Sequence, residues 1–114
     1  MAISQVEGTE TITTSEWSLT TDTAGPDADT TDCIVQVFVD LNALAAGDQY
    51  TLSFYEKAQS TDTQRKVASW VFDGAQSMPL FASPSFIVMN GWDFTLLKNS
   101  GTDRAITWSV RKIT

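Results

Sequence analysis

From Cys33 to Leu41 the chain alternates with a period of two. Val35, Val37, Val39 and Leu41 share one face, and Ile34, Gln36, Phe38 and Asp40 share the other. Successive strand side chains point to opposite sides of a sheet, so this run predicts a strand with one buried face and one mixed face. The same period recurs along the chain. Thr9 to Thr14 alternates threonine with Glu10 and Ile12, and Glu16 to Thr20 puts Trp17 beside Leu19. Tyr50 to Lys57 groups Tyr50, Leu52 and Phe54, while Lys66 to Asp73 sets Ala68, Trp70 and Phe72 against Val67, Ser69 and Val71. Trp92 to Lys98 turns Trp92, Phe94 and Leu96 inward, and Arg104 to Ile113 does so with Ile106, Trp108 and Val110. A short apolar run, Ser85 to Met89, follows Pro79 and Pro84, which confine their neighbourhood to a sheet edge or a bulge.

Turn residues separate these runs. Asn90-Gly91 is the strongest short hairpin signal, Asn99 to Asp103 reads as a second, longer hairpin loop, and Ser60 to Thr63 as a third. The one stretch of good helix formers, Leu41 to Ala46, is too short for an independent helix and reads as a turn between strands. About eight strands at spacings near ten residues predict an all-β protein. Its expected form is a single-domain antiparallel β-sandwich or jelly-roll-like barrel spanning residues 1–114. Residues 1–16 are expected to form an N-terminal assembly arm. Residues 22–32, with four aspartates, a Gly-Pro break and no large apolar side chain, are expected to be an acidic loop.

Composition narrows the function. In 114 residues there are sixteen threonines, eleven serines, one cysteine and no histidine, and the net charge is -7. An acidic chain lacks the basic face that phosphate backbones require, so no nucleic acid is expected as a partner. No apolar run is long enough to cross a bilayer, so no membrane is expected either. MAISQVEGTE has neither a basic nor an apolar leader segment, which predicts a soluble product made in a cytoplasm. One cysteine excludes an internal disulfide, and the lack of histidine removes the commonest general base and metal ligand. The charge is lopsided: residues 1–48 carry nine acids and no base, whereas residues 49–114 carry seven bases and five acids. These two halves are expected to meet, within one subunit or between neighbours.

Candidate chemistry reduces to a few residue sets. Cys33 opens an apolar strand and reads as a small buried hydrophobe. Asp27 and Asp29 form no plausible acid–base pair for sugar hydrolysis without an apolar setting for one of them. The spacing of Asp22, Asp27, Asp29 and Asp32 lacks the glycine and closing glutamate of a calcium loop. No metal and no cofactor are therefore expected. Trp92 and Trp108 are in phase with core faces, while Trp17 has fewer apolar neighbours and is the best candidate for a surface or interface ring. With Tyr50 or Tyr55 it would make a sugar-stacking platform, the expectation for a small carbohydrate-binding module.

Four phrases carry a family resemblance: DLNALAAGDQYTLSFYEK at Asp40 to Lys57, DTQRKV at Asp62 to Val67, SPSFIVMNGWDFTL at Ser83 to Leu96, and GTDRAITWSVRK at Gly101 to Lys112. Across residues 9–113 the chain resembles a family of short virion structural proteins of tailed bacteriophages, similar to auxiliary capsid decoration (cement) proteins. The acidic loop after Thr21 is longer and more charged than that family's pattern. The resemblance implies a non-enzymatic protein on the outer capsid surface, bound to the major capsid protein as a homotrimer. A tail, baseplate or head-fibre component is the alternative within the virion. Expected assembly contacts are residues 1–16 and the loop carboxylates Asp22, Asp27, Asp29 and Asp32. Trp17 and Phe38 join them, and the bases expected opposite, either on the neighbour or within the subunit, are Arg65, Lys66, Arg104 and Arg111.

Overall fold

The computed structural model describes all residues, Met1 to Thr114. Ten strands follow in order: β1 (Ile3–Ile12), β2 (Trp17–Ser18), β3 (Thr23–Ala24), β4 (Cys33–Asp40), β5 (Gln49–Glu56), β6 (Arg65–Asp73), β7 (Leu80–Ala82), β8 (Phe86–Val88), β9 (Asp93–Ser100) and β10 (Arg104–Ile113). They form two antiparallel sheets packed face to face. The first is ordered β1-β10-β4-β7, with β8 also on β4, and the second β3-β2-β9-β5-β6. Strands β7 and β8 lie along the same edge of β4, end to end. Counting them as one interrupted strand, and setting aside the two-residue β3, leaves the eight expected strands in a jelly-roll arrangement.

That topology corrects two expected hairpins. Gly91 adopts φ 89° and Gly101 φ 95°, values open to glycine but strained for other residues. The turns are therefore tight, yet each leads from one sheet to the other. Strand β8 pairs with β4, whereas β9 pairs with β2 and β5, and β10 returns to the first sheet. Asn-Gly dictates a reversal of direction, not the sheet in which the next segment finds its partner. Of the three expected hairpin loops, only the one around Ser60 to Thr63 closes a hairpin, between β5 and β6. Leu41 to Ala46 forms successive turns between β4 and β5, as its short length predicted.

The core follows the alternation. Val35, Val37, Val39, Tyr50, Leu52, Phe54, Phe94, Leu96, Ile106, Trp108 and Val110 are all buried between the sheets. Phe54 stacks on Phe86 and Phe94, and Trp70 and Phe81 extend the aromatic cluster toward the β6–β7 side. Pro84 breaks the edge strand opposite Val37, and Ser83 repairs the gap. The Val37 N–H donates to Ser83 Oγ at 3.0 Å, and the Ser83 N–H donates to the Val37 carbonyl at 2.9 Å. A buried amide left without an acceptor costs about 1–3 kcal/mol. Ser83→Ala is expected to lower stability by that amount, read from the urea midpoint. A midpoint equal to wild type would show that the repair is dispensable.

At the other end of the molecule Asp48, almost fully buried, accepts hydrogen bonds from the N–H groups of Thr102 and Ala45 and from Arg104 Nε. These donors, Thr102 first, hold its carboxyl down at about 2 from an ordinary 3.8. A group whose folded pKa is depressed stabilises the fold fully above its unfolded value, and that contribution disappears as pH falls through the folded one. The unfolding temperature is therefore expected to drop between about pH 4 and pH 2. In Asp48→Asn the drop over that interval should be smaller; an unchanged drop would remove Asp48 as its source.

Candidate assembly surface

The outward residues of the first sheet carry an unusual row. Ile3 stands opposite Ile113, Ile113 opposite Ile34, and Ile34 opposite Ile87, so one line of isoleucine crosses β1, β10, β4 and β8. Ile87 is 84% exposed, Ile3 69% and Ile34 41%, with Met89 beside them at 50%. Covering one such side chain is worth about 1.5–3 kcal/mol, and a contiguous exposed apolar patch marks a contact surface. Away from this end the face is mostly polar, Leu80 on β7 apart. Farther along the same strands the outward positions are Gln5, Glu7, Thr9, Gln36, Asp40, Thr107 and Ser109.

Next to the row, Arg111 lays its guanidinium over the Phe38 ring, 3.8 Å from the centroid. Arg111 and Phe38 were both expected at an interface, and the fold brings them together. An open groove of about 230 Å³ runs beside them, lined by Ile3, Ile34, Ile113, Phe38, Ser85 and Arg111 among others. A second groove of about 380 Å³ lies on the polar side of the stack, reaching Glu7, Asp40 and Leu80. Arg111 also donates through Nε to Ser109 Oγ but forms no ion pair within the chain.

The acidic loop borders this end, and it is pinned rather than free. Asp29 and Trp92 exchange backbone hydrogen bonds of 2.9 Å in both directions, and Trp92 Nε1 donates to the Thr31 carbonyl. The Asp27 N–H donates to Asp93 Oδ2, and Gln64 Nε2 donates to the carbonyls of Asp27 and Gly91. Burial raises the Asp93 pKa, against the opposing pull of donors including the Asp27 N–H and Ser18 Oγ. The loop's own carboxylates turn to separate partners: Asp22 to Trp17 Nε1, Asp27 to the Ala28 N–H, and Asp29 to the Thr31 N–H and Lys112. Burial alone would raise the Asp29 carboxyl, but hydrogen bonds from Thr31 and the Lys112 charge outweigh it and leave it below the usual range. Asp32 stays exposed and without an ion-pair partner.

Other expected site residues fall elsewhere. Arg104 pairs with Asp48 at 2.9 Å, at the opposite end of β10 from the loop. The loop's partner is Lys112, 3.3 Å from Asp29 and 5.4 Å from the Trp92 ring centroid. Its inward phase on β10, shared with Trp108 and Val110, is the sequence signal that points to it. Arg65 and Lys66 are exposed at the start of the edge strand β6 and form no ion pair in the chain. Trp17 is not a free surface ring: it is half-buried against the core, opposite Leu96. Tyr50 is fully buried, its hydroxyl bridging Thr102 and Arg104, so it takes no part in any sugar platform. Tyr55 donates its hydroxyl to Glu16, and burial, then that carboxylate, pushes its pKa up to about 12. Residues 1–16 include strand β1, which pairs along its whole length with β10 rather than extending as a separate arm. The isoleucine row was legible only in part, since Ile3 lies outside the predicted strands and cross-strand register is not written in any one segment.

No protein-family model matches the chain, and no curated protein sequence does. Among solved structures, one described as belonging to Bacillus endospore appendages, a family of disulfide-linked pili, aligns over 97% of this chain and 86% of its own. Its TM-score is 0.51 and its sequence identity 17%. In the present chain the one cysteine, Cys33, is buried in the core. At that identity the likeness is one of fold: the chain is an antiparallel β-sandwich of a kind also found in a pilus-forming protein.

Proposed function

We propose that the protein is a non-enzymatic virion structural protein, a decoration protein that binds the major capsid protein of a phage head and stabilises its lattice as a homotrimer. The observation that carries this reading is the isoleucine row with its adjoining Phe38–Arg111 stack. A chain of net charge -7 stays dispersed in solution through charge repulsion, yet keeps exposed apolar side chains aligned on one sheet end. That combination suits a protein which is soluble alone and then locks onto others. The phage resemblance of the four sequence phrases supplies the partner class. Rigidly linked copies present several modest contacts together, which raises avidity without new chemistry.

The test is a mixing experiment. Purified protein added to undecorated heads is expected to co-sediment at a fixed ratio to the major capsid protein and to raise the temperature at which the heads open. Heads that sediment without it, and open at an unchanged temperature, would contradict the reading.

A further inference from the structure

Strand β6 ends the second sheet and pairs with β5 on one side only. The Gly74 N–H donates to the Asp48 carbonyl at 2.8 Å, in the same register that sets Phe72 opposite Tyr50 and Trp70 opposite Leu52. Bonded pairs recur at every second residue of an antiparallel ladder. Phe72 and Trp70 therefore direct their backbone groups to β5, while Ser69 and Val71 turn theirs outward, where no other backbone group of the chain meets them. The other edges are guarded. Strand β3 has two residues, Pro84 interrupts the β7–β8 edge, and β1 carries Glu7 and Glu10 with no base, so two copies of it repel.

Strand β6 is instead complementary to itself. After the Arg65–Lys66 pair, its outer side shows Val67, Ser69, Val71 and Asp73, and both valines are 57% exposed. Neither base nor Asp73 forms an ion pair within the chain. Turned about Ser69, a second β6 sets its Val71 opposite Val67, its Ser69 opposite Ser69 and its Arg65–Lys66 pair against Asp73. The bulge near Val67 shifts the register there, which brings both bases toward that carboxylate. Opposite charges and matched β-branched side chains favour this pairing, and a register moved by two residues loses both matches.

We infer that β6 is a twofold self-pairing edge. Two copies join antiparallel about Ser69, the outward N–H and C=O of each Ser69 bond to those of the other, and one sheet runs through both subunits. Such a contact is isologous, each copy offering the same patch. It lies in the second sheet, shares no residue with the isoleucine row and leaves that row free for the capsid. Being twofold, it is not the contact within a trimer; on a shell it would tie neighbouring trimers side by side.

Single cysteines under mild oxidation test this, each placed in a Cys33→Ala background so that one thiol remains. Ser69→Cys sets two thiols across a bonded pair, with about 5.5 Å between Cα atoms, within the span of a disulfide. It is expected to run at twice the 12.5 kDa chain on a non-reducing gel. Val71→Cys puts its thiols about 13 Å apart along the strands and should stay single. Adding Asp73→Arg to Ser69→Cys should slow the cross-link several-fold, and adding Arg65→Asp with Lys66→Asp as well should restore it. These side chains are exposed, so unchanged circular dichroism confirms folding in each variant. Ser69→Cys that stays single overturns the inference, whatever else covers the edge. So does Val71→Cys that links as fast, or a rate indifferent to Asp73→Arg. No heads enter the experiment, so its failure leaves the decoration reading untouched.

Discussion

Gly8→Val is expected to cost about 3 kcal/mol, more than half of the total if the protein's stability lies at the low end of the usual range of about 5–15 kcal/mol. Gly8 is directly opposite Trp108 on the inner side of the β1–β10 pair. The indole lies across the glycine backbone, and any Cβ there would overlap its six-membered ring. Glycine within a strand usually weakens it, and one standard reason for its presence is such a close approach. The ring has nowhere to retreat. Trp108 is 3% exposed, and its Nε1 donates to the Leu19 carbonyl at 2.9 Å, so a shift also breaks a buried hydrogen bond. Urea unfolding followed by tryptophan fluorescence measures the loss. Adding Trp108→Leu to Gly8→Val should recover part of it, because the overlap is removed. A valine variant as stable as wild type would show that β1 is not held against that ring.

Trp92→Ala is expected to lose a similar amount and to do something Gly8→Val does not. The ring is fully buried, and truncating a buried tryptophan typically costs about 3–5 kcal/mol. Trp92 is also the post to which the acidic loop is tied, through Thr31, the Asp29 backbone and the ammonium of Lys112 above the ring. Limited proteolysis should therefore cut the variant between residues 22 and 32 under conditions that leave wild type intact. Trp92→Phe keeps most of the apolar area and loses the Nε1 bond, so it should fall by only about 1 kcal/mol. Equal resistance of the alanine variant to cleavage would show that other contacts hold the loop.

The pattern of the chain foretold what depends on neighbours in sequence. Alternation in Cys33 to Leu41 and Trp92 to Lys98 located two central strands, because one residue in two must be apolar to face the core. Strand β1 starts six residues earlier than its pattern indicated. Its first half, Ile3 to Gly8, owes its place to hydrogen bonds with β10 rather than to apolar periodicity. Strand β7, Leu80–Ala82, was hidden between Pro79 and Pro84; it pairs with β4, and just beyond its end the Ser83 hydroxyl accepts from the Val37 N–H. The sheet assignment of the Asn90-Gly91 and Asn99 to Asp103 turns was not legible, since a turn sequence encodes a local reversal and sheet membership is settled by distant partners.

The candidate surface divides in the same way. Phe38 stood out as a large ring on an otherwise mixed face, and Arg111 as a base near a strand end; each is a local signal. Their stacking, and the alignment of Ile3, Ile113, Ile34 and Ile87 across four strands, comes from register between segments as far apart as the two ends of the chain. The partial burial of Trp17 was hidden for a related reason. Its own segment offers few apolar neighbours, and the ones that bury it arrive from β9. Within the chain Arg104 pairs with Asp48 and not with the acidic loop, since charge balance along a chain carries no information about which end of a strand a base occupies.

Electron microscopy of heads mixed with the protein tests the central claim most directly. The account predicts added density on the outside of the shell, in threefold knobs each enclosing three β-sandwich subunits, and absent from untreated heads. Density confined to the tail or baseplate, or heads indistinguishable from untreated ones at saturating protein, would contradict it.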